Sequence, residues 1–463
     1  MSRYLISTWD PELPSFWQKT GKSTANRNLW ISIPALMLAF AVWMVWSVVV
    51  VNLPNIGFTY STNQLFWLAA VPGLSGATLR IFYSFMVPVF GGRRWTAIST
   101  ASLLVPAVGI GFAVQDPATG YPTMLVLALL CGFGGGNFAS SMANISFFFP
   151  KAQKGYALGM NAGLGNLGVS AVQFVVPLVI TAAVFGGDPQ TWVKGEETRQ
   201  MWLQNAGFIW APFILVTAVA AWFGMNDLAS AKASFAEQAV IFKRKHNWLM
   251  CWLYVGTFGS FIGYSAAFPL LTKTLFPDVN PLQYAFLGPL VGALARVAGG
   301  WVSDRLGGAV VTLWTFVAMI AAVLGVMEFL PASGNPGSAG SAGSFWGFFW
   351  MFMVLFACTG VGNASTFRMI PVIFMTLHQR AAGTRPDDQA NAVASANKEA
   401  AAVLGFTSAV AAYGAFFIPK SYGTSIALTG GPGAALWCFI GFYATCIAIT
   451  WWCYARKGAD MPC

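Results

Sequence analysis

The chain alternates between long apolar runs and short polar connections. An apolar run of about 20 residues is long enough to cross a hydrocarbon core of roughly 30 Å as a helix. The pattern predicts twelve spanning helices, at residues 30–52, 63–89, 95–115, 121–149, 155–186, 206–226, 248–272, 281–303, 309–330, 345–376, 393–418 and 433–455. The most charged connection, 227–247, follows the sixth helix. It predicts two six-helix halves, 1–226 and 248–463, joined by a linker at 227–247.

Composition agrees with this pattern. The chain is 57% hydrophobic and 9% charged, whereas soluble domains average about 25% charged residues. We therefore expect an all-α polytopic membrane protein with no room for a soluble domain or a nucleic-acid-binding surface. None of the seven cysteines has CxxC spacing, and neither metal ligands nor a cofactor motif nor a catalytic dyad is apparent. An enzyme is not expected, and no cofactor is expected.

Lysine and arginine are distributed unevenly between the two sides of the predicted membrane. If the N-terminus is cytoplasmic, 18 of the 25 basic residues lie on the cytoplasmic side and four lie on the other. The positive-inside rule then predicts that both termini are cytoplasmic. It also explains most of the net charge of +10 without a charged partner.

Arg80 and Arg296 form a duplicated element. Each ends a similar pentapeptide, GATLR and GALAR, and each precedes a Gly-Gly pair by 11 residues, at Gly91 and Gly307. Eleven helical residues rise about 16 Å, which is close to half of the hydrocarbon thickness. Both guanidiniums are therefore expected near the bilayer midplane, where an ionisable residue indicates a functional site. A purely structural arginine bonded to backbone carbonyls is the alternative.

Acidic residues and histidines fall almost entirely in loops or toward helix ends. No titratable group is therefore predicted to neutralise the two arginines, and the expected counter-charge is a small anionic substrate. The planar guanidinium fork suits a planar oxyanion, although it also fits carboxylates and phosphate.

Small and polar residues occur at similar depth in neighbouring helices. In the fifth helix, helical spacing places Gly159, Gly163, Asn166 and Ser170 on one face. The fourth and tenth helices share a Gly-x-Gly-Asn sequence that ends at Asn137 and Asn363. Close helix packing is an alternative role for most of these glycines, but an amide in hydrocarbon requires a partner.

Aromatic residues line one face of the seventh helix, at Tyr254, Phe258 and Phe261. Together with Phe138 of the fourth helix, they could enclose a flat anion, although aromatic stripes also serve packing alone. At the end of the eighth helix, GGWVSDRLGG places Asp304 and Arg305 at the cytoplasmic surface. There Asp304 is predicted to pair with a neighbouring helix end; the matching GGRRW of the first half has no such acid.

These features resemble the major facilitator superfamily: twelve helices, two halves and an Asp-Arg turn after the eighth helix. More narrowly, the chain resembles the nitrate/nitrite porters of the NarK and NarU type over nearly its whole length. The strings that carry the resemblance are RNLWIS at Arg27, SFMVPVFGGRRW at Ser84, NFASSMANISFFFP at Asn137, GLGNLG at Gly163, TFGSFIGYSAAF at Thr257 and SDRLGG at Ser303.

The resemblance implies that Arg80 and Arg296 coordinate the anion, that Asn166, Tyr254, Phe258 and Phe138 contact it, and that the halves rock about a central site. It further implies gating by the glycines Gly163 and Gly165 and by the Asp304–Arg305 turn. One departure from the family is Arg368, which stands where the family has Gln. Arg368 is expected either to snorkel or to add a third positive charge to the exit path.

The resulting expectation is a nitrate/nitrite exchanger in the plasma (inner) membrane, monomeric, with nitrate, nitrite and lipid as its partners. Two fixed charges repel each other in an empty site and a bound anion offsets this cost, which favours obligatory exchange. A proton-coupled nitrate symporter is the alternative with the same site, and a nitrate sensor or channel is the alternative from another class.

Overall fold

A computed structural model describes residues 4–229, 231, 239–331, 343–382 and 385–463. The predicted all-α polytopic fold is confirmed. Within these residues, eleven helices are long and apolar enough to cross a membrane. They are Pro14–Ile56 (α1), Thr62–Tyr83 (α2), Gly92–Ala113 (α3), Tyr121–Phe148 (α4), Lys151–Val179 (α5), Asn205–Gly224 (α6), Pro281–Leu306 (α8), Gly308–Glu328 (α9), Phe345–Ala381 (α10), Asp387–Thr429 (α11) and Gly433–Ala455 (α12).

The seventh predicted span, 248–272, is helical but is not one of these eleven. It consists of Lys245–Tyr254, a π-helical turn Val255–Gly259, and Ser260–Leu275, which follow one another without a gap and are here called α7. A π-helical turn inside an α-helix is uncommon and often marks a functional site. It falls directly after Tyr254, one of the predicted contact residues.

Several helix bounds differ from the prediction. α1 begins at Pro14, passes through a π-helical turn at Trp17–Gly21 and continues as Lys22–Met44, so its polar start is helical well before residue 30. Trp17 supports this extension by packing its ring against Phe149, with centroids 5.8 Å apart. α2 stops at Tyr83 and is followed by the separate short helix Met86–Phe90.

Two short strand pairs accompany the helices in the described part of the chain. Strands Leu5–Ile6 (β1) and Asp227–Leu228 (β4) pair in parallel. Strands Gln190–Lys194 (β2) and Glu197–Met201 (β3) form an antiparallel hairpin in a connection for which no structure was predicted. The hairpin turn contains Gly195 at a φ of 59°, a backbone region that glycine adopts readily.

Contacts divide the chain into two compact units. The first contains residues 1–233 and two later segments, Ser265–Lys273 and Asn280–Phe286; the second contains the rest. Gln173 joins the first of these later segments to α5, because its Nε2 donates to the Ser265 carbonyl over 2.7 Å. Lys273 Nζ donates to the Val51 carbonyl. The predicted boundaries at 226/227 and 247/248 stay a prediction, and much of the linker lies outside the described residues.

The second unit is held together by a buried network of hydroxyl groups. Tyr443 lies 2.7 Å from both Ser260 and Tyr264, oxygen to oxygen. All three side chains are buried, so each hydroxyl needs a partner within the protein. The network fixes α7 against α12.

Candidate anion site

Arg80 lies in the last turn of α2 and is completely buried. Its Nε donates a hydrogen bond to the Gly135 carbonyl over 2.9 Å. Its guanidinium carbon lies 4.9 Å from the ring centroid of Phe138 and 5.2 Å from that of Trp43. Aromatic faces stabilise a cation at such distances, so both rings contribute favourable contacts to this guanidinium.

Glycines allow α2 and α4 to approach closely enough for these contacts. A Cβ on Gly76 would lie 2.5 Å from Trp43 Nε1 and 3.1 Å from the Gly135 Cα. Any side chain there would push the helices apart and move the Gly135 carbonyl away from Arg80. Close packing at Gly76 and Gly135 therefore serves the arginine directly.

Arg296 of α8 has a related environment in the second unit. Its guanidinium carbon lies 5.6 Å from the ring centroid of Phe367. Its Nη1 is buried and finds no hydrogen-bond partner among the described residues. A Cβ on Gly360 would lie 3.0 Å from the Arg296 backbone nitrogen, so α8 and α10 approach closely here as well. A buried guanidinium donor of this kind is suited to an anionic oxygen.

Tyr254 and Phe258 lie one turn apart on α7, and both are buried. Their rings stack with centroids 5.5 Å apart and an interplanar angle of 16°. The Tyr254 hydroxyl donates to Asn363 Oδ1 over 2.6 Å. The structure thus brings Tyr254 and Phe258 together, and it adds Asn363 to them.

Asn166 of α5 is buried, and its Oδ1 has no hydrogen-bond partner among the described residues. The two glycines predicted for gating differ from each other. A Cβ on Gly163 would meet nothing within 4 Å, whereas a Cβ on Gly165 would lie 2.7 Å from the Leu36 side chain. Gly163 therefore borders open space, and Gly165 allows α5 to pack on α1.

The carboxylates that form ion pairs in the described part of the chain pair with cations other than Arg296; they are Asp227, Asp304, Glu399 and Asp460. Glu399 of α11 is buried and accepts from Arg244 Nε over 2.6 Å and lies 2.6 Å from His378 Nε2. The ion pairs among the described residues leave Arg296 without a carboxylate partner.

Asp304 pairs with Arg368 of α10, whose Nε donates to Asp304 Oδ1 over 2.6 Å. Its neighbour Arg305 lies over the ring of Trp301, with the guanidinium carbon 3.8 Å from the ring centroid. Arg368 is therefore paired with an acid in the last turn of α8.

In the first unit, the GGRRW sequence contains no acid, but Asp227 from elsewhere in the chain pairs with its Arg93. Asp227 Oδ1 accepts from the Arg93 backbone nitrogen over 2.9 Å, and Oδ2 accepts from Arg93 Nε over 3.2 Å. Both residues are buried. Sequence reasoning missed this pair, as it missed Trp43, Asn363 and Phe367 as neighbours of the predicted site residues.

Comparisons with known proteins agree with the architecture. A family model described as Major Facilitator Superfamily matches residues 35–419. A bacterial homologue of the human lysosomal transporter Spinster, in an inward-facing and unoccupied conformation, aligns with a TM-score of 0.55 and 17% identity over 93% of this chain and 94% of that one. At this identity the similarity concerns the fold alone.

Full-length relatives are more specific. The nitrate/nitrite transporter NarU of Salmonella typhimurium is 52% identical, covering 98% of this chain and 97% of its own. NarU of Escherichia coli is 51% identical with the same coverage, and the probable nitrate/nitrite antiporter NarK2 of Thermus thermophilus is 44% identical over 99% and 98%.

The apolar helices and the family match together define an integral membrane transporter rather than an enzyme. Within that class, the chain belongs to the NarK/NarU-like family of the major facilitator superfamily.

Proposed function

We propose that this protein exchanges nitrate for nitrite across the membrane by alternating access. The observation that carries the proposal is its near full-length similarity to relatives named nitrate/nitrite transporters or antiporters. A one-for-one swap of two monovalent anions moves no net charge, and existing gradients supply the free energy. Both anions are planar, which fits a guanidinium fork and flanking aromatic rings.

We propose Arg80 and Arg296 as the residues that bind the anion. Supporting this, each guanidinium lies beside an aromatic ring within its own unit, at Phe138 for Arg80 and Phe367 for Arg296. The buried Nη1 of Arg296 has no hydrogen-bond partner among the described residues, and a buried cationic donor of this kind favours an anionic ligand. An empty site with two positive charges would resist the conformational change, whereas the loaded site would permit it.

Other contacts complete the proposed binding site. Phe138, Tyr254 and Phe258 would supply ring surfaces to the flat anion. Asn166 would donate from its amide NH2 to the anion; its Oδ1 is buried and has no hydrogen-bond partner among the described residues, so the side chain is not fully used in packing.

For gating we propose Gly163 of α5 and the turn residues Asp304 and Arg305. Gly163 borders open space, so it leaves room for another surface to approach in a second conformation. Gly165 would contribute through its close contact with Leu36, because that contact holds α5 against α1.

We further propose a monomer in the plasma (inner) membrane with both termini cytoplasmic. The uneven distribution of lysine and arginine supports this orientation. Labelling of a single cysteine introduced near either terminus tests it: a membrane-impermeant reagent should label that cysteine only after the cells are opened.

The deciding experiment measures nitrate uptake into proteoliposomes that are either loaded with nitrite or empty, with and without an imposed pH gradient. The proposal expects uptake only into nitrite-loaded vesicles, regardless of the gradient. Gradient-driven uptake into empty vesicles would replace exchange with proton-coupled symport.

A further inference from the structure

α10 contacts the candidate site through two side chains one turn apart, Asn363 and Phe367. Asn363 Oδ1 accepts the hydrogen bond from the Tyr254 hydroxyl over 2.6 Å. Both partners are buried, at 2% exposure for Asn363 and 1% for Tyr254. A short bond between buried groups is costly to break, because each group would then lose a hydrogen bond that offsets its desolvation.

The approach of α10 to α7 makes this bond possible. A Cβ on Gly362 would lie 2.6 Å from Thr257 Cγ2, so the two helices pack too closely for a side chain at the turn that carries Asn363. At that separation a short amide side chain reaches the Tyr254 hydroxyl.

Phe367 lies close to both Tyr254 and Arg296. Its ring centroid is 6.0 Å from that of Tyr254 and 5.6 Å from the Arg296 guanidinium carbon. Tyr254 and the Phe258 ring stacked on it are here called the aromatic wall. Phe367 therefore contacts both this wall, at Tyr254, and the Arg296 guanidinium. It occupies beside Arg296 the role that Phe138 has beside Arg80, at 4.9 Å, although the two phenylalanines differ in their sequence context.

We infer that Asn363 and Phe367 are positioning residues: Asn363 orients Tyr254, and Phe367 holds the Arg296 guanidinium against the aromatic wall. This inference rests on the proposed function of the same site. Its chemical consequence is specific. Because the Tyr254 hydroxyl proton is donated to Asn363, Tyr254 offers the anion its ring, and the hydrogen bonds to the anion come from Arg296 Nη1, which has no partner among the described residues.

A double-mutant cycle on nitrate binding tests the first half of the inference. Nitrate is titrated into purified protein of four forms: wild type, Asn363→Ala, Tyr254→Phe and the double variant. We expect each single variant to bind nitrate about fivefold more weakly, as the loss of one buried hydrogen bond implies, and the double variant to bind no more weakly than either. Additive losses in the double variant, or wild-type affinity in both single variants, would overturn the inference.

Two variants of Phe367 test the second half. Phe367→Leu removes the ring and should weaken nitrate binding about threefold to tenfold, while Phe367→Tyr keeps the ring and should restore wild-type affinity. Equal affinity in the two variants would contradict the role assigned to Phe367. These variants also carry the test if Asn363→Ala does not fold.

The wild type separates failure of this inference from failure of the proposed function. A wild type that binds and exchanges nitrate, with variants that bind it equally well, rejects the positioning roles alone. A wild type that neither binds nor exchanges nitrate rejects the proposed function and this inference together.

Discussion

Arg368 donates a hydrogen bond from Nε to Asp304 Oδ1 over 2.6 Å, and so joins α10 to the end of α8. The guanidinium is 32% exposed and the carboxylate 71%, so the pair is largely in contact with solvent. The sequence leaves two roles open for Arg368: snorkelling, or a third positive charge in the exit path. The second role does not fit, because the carboxylate of Asp304 already offsets the charge of Arg368.

Replacement of Arg368 by glutamine, which removes the charge and keeps a polar side chain, should leave nitrate affinity unchanged. Because exposed pairs contribute about 1 kcal/mol or less, the thermal unfolding midpoint should also change little. Nitrate titration and thermal unfolding in detergent measure both, with Asp304→Asn as the matched partner variant. A clear loss of affinity in Arg368→Gln alone would restore the third-charge hypothesis.

Replacement of Arg80 by lysine should reduce nitrate uptake at least about tenfold although the charge is kept. The ammonium cannot both replace the Nε bond to Gly135 and offer a planar two-point donor to the anion. Uptake into nitrite-loaded proteoliposomes measures the loss. Arg94→Lys, at an exposed arginine, is the control and should transport normally; equal activity of both variants would remove Arg80 from the site.

Replacement of Asp227 by alanine should lower the free energy of unfolding by about 3–5 kcal/mol. Arg93 is 4% exposed, and it would remain buried without its carboxylate, which is the costly way to break an ion pair. Chemical denaturation of the purified protein measures the effect, with exposed Asp116 replaced by alanine as the control. If the two variants were equally stable, the pair would not anchor the first unit.

Three glycines of α5 should respond differently to replacement by alanine. Gly168→Ala should destabilise the protein by about 1–3 kcal/mol, because its Cβ would lie 2.0 Å from the Met37 carbonyl oxygen. Gly165→Ala should cost less, since the Leu36 side chain can move. Gly163→Ala should leave stability unchanged and slow exchange. Normal exchange in Gly163→Ala would exclude this position from gating.

Stability should fall as the pH drops below about 6.5, through His246, which precedes the predicted span 248–272. Burial lowers the pKa of His246; Asp460 opposes this shift, and Lys245 adds to it. Above the unfolded-state pKa of about 6.5 the histidine is neutral in both states. Below it the unfolded chain takes up a proton that the folded protein resists, so unfolding is favoured.

Thermal unfolding at about pH 8 and about pH 5.5 measures this effect, on either side of the ordinary histidine pKa. His246→Gln should show a smaller decrease between the two pH values than the wild type. An identical decrease would assign the pH dependence to other groups.

The sequence predicts the fold well because hydrophobic length decides which segments span a bilayer. It also points to Arg80 and Arg296, since an arginine in an apolar run is conspicuous and the repeat links the two. It does not predict the Arg93–Asp227 pair, whose members are separated by 134 positions. Trp43 gives no signal either, because it lies in a run where almost every residue is apolar and buried.

Helix ends are less predictable than helices. The amphipathic start of α1 and the polar start of α11 extend beyond any apolar window, so composition places their ends too far inward. The role of Asn363 shows a related limit. The repeated Gly-x-Gly-Asn marks the residue, but only the folded structure shows that its amide oxygen accepts a hydrogen bond from the Tyr254 hydroxyl.

The first unit also includes residues from the second half of the sequence. The first unit therefore cannot finish folding until part of the second half has been synthesised. The Gln173 amide and the Val51 carbonyl find Ser265 and Lys273 only after the seventh helix has left the ribosome. Until then, the Gln173 amide has Ser47 but not Ser265 as a partner. A fragment that stops in the linker would therefore lack part of the first unit and would not be a smaller version of the carrier.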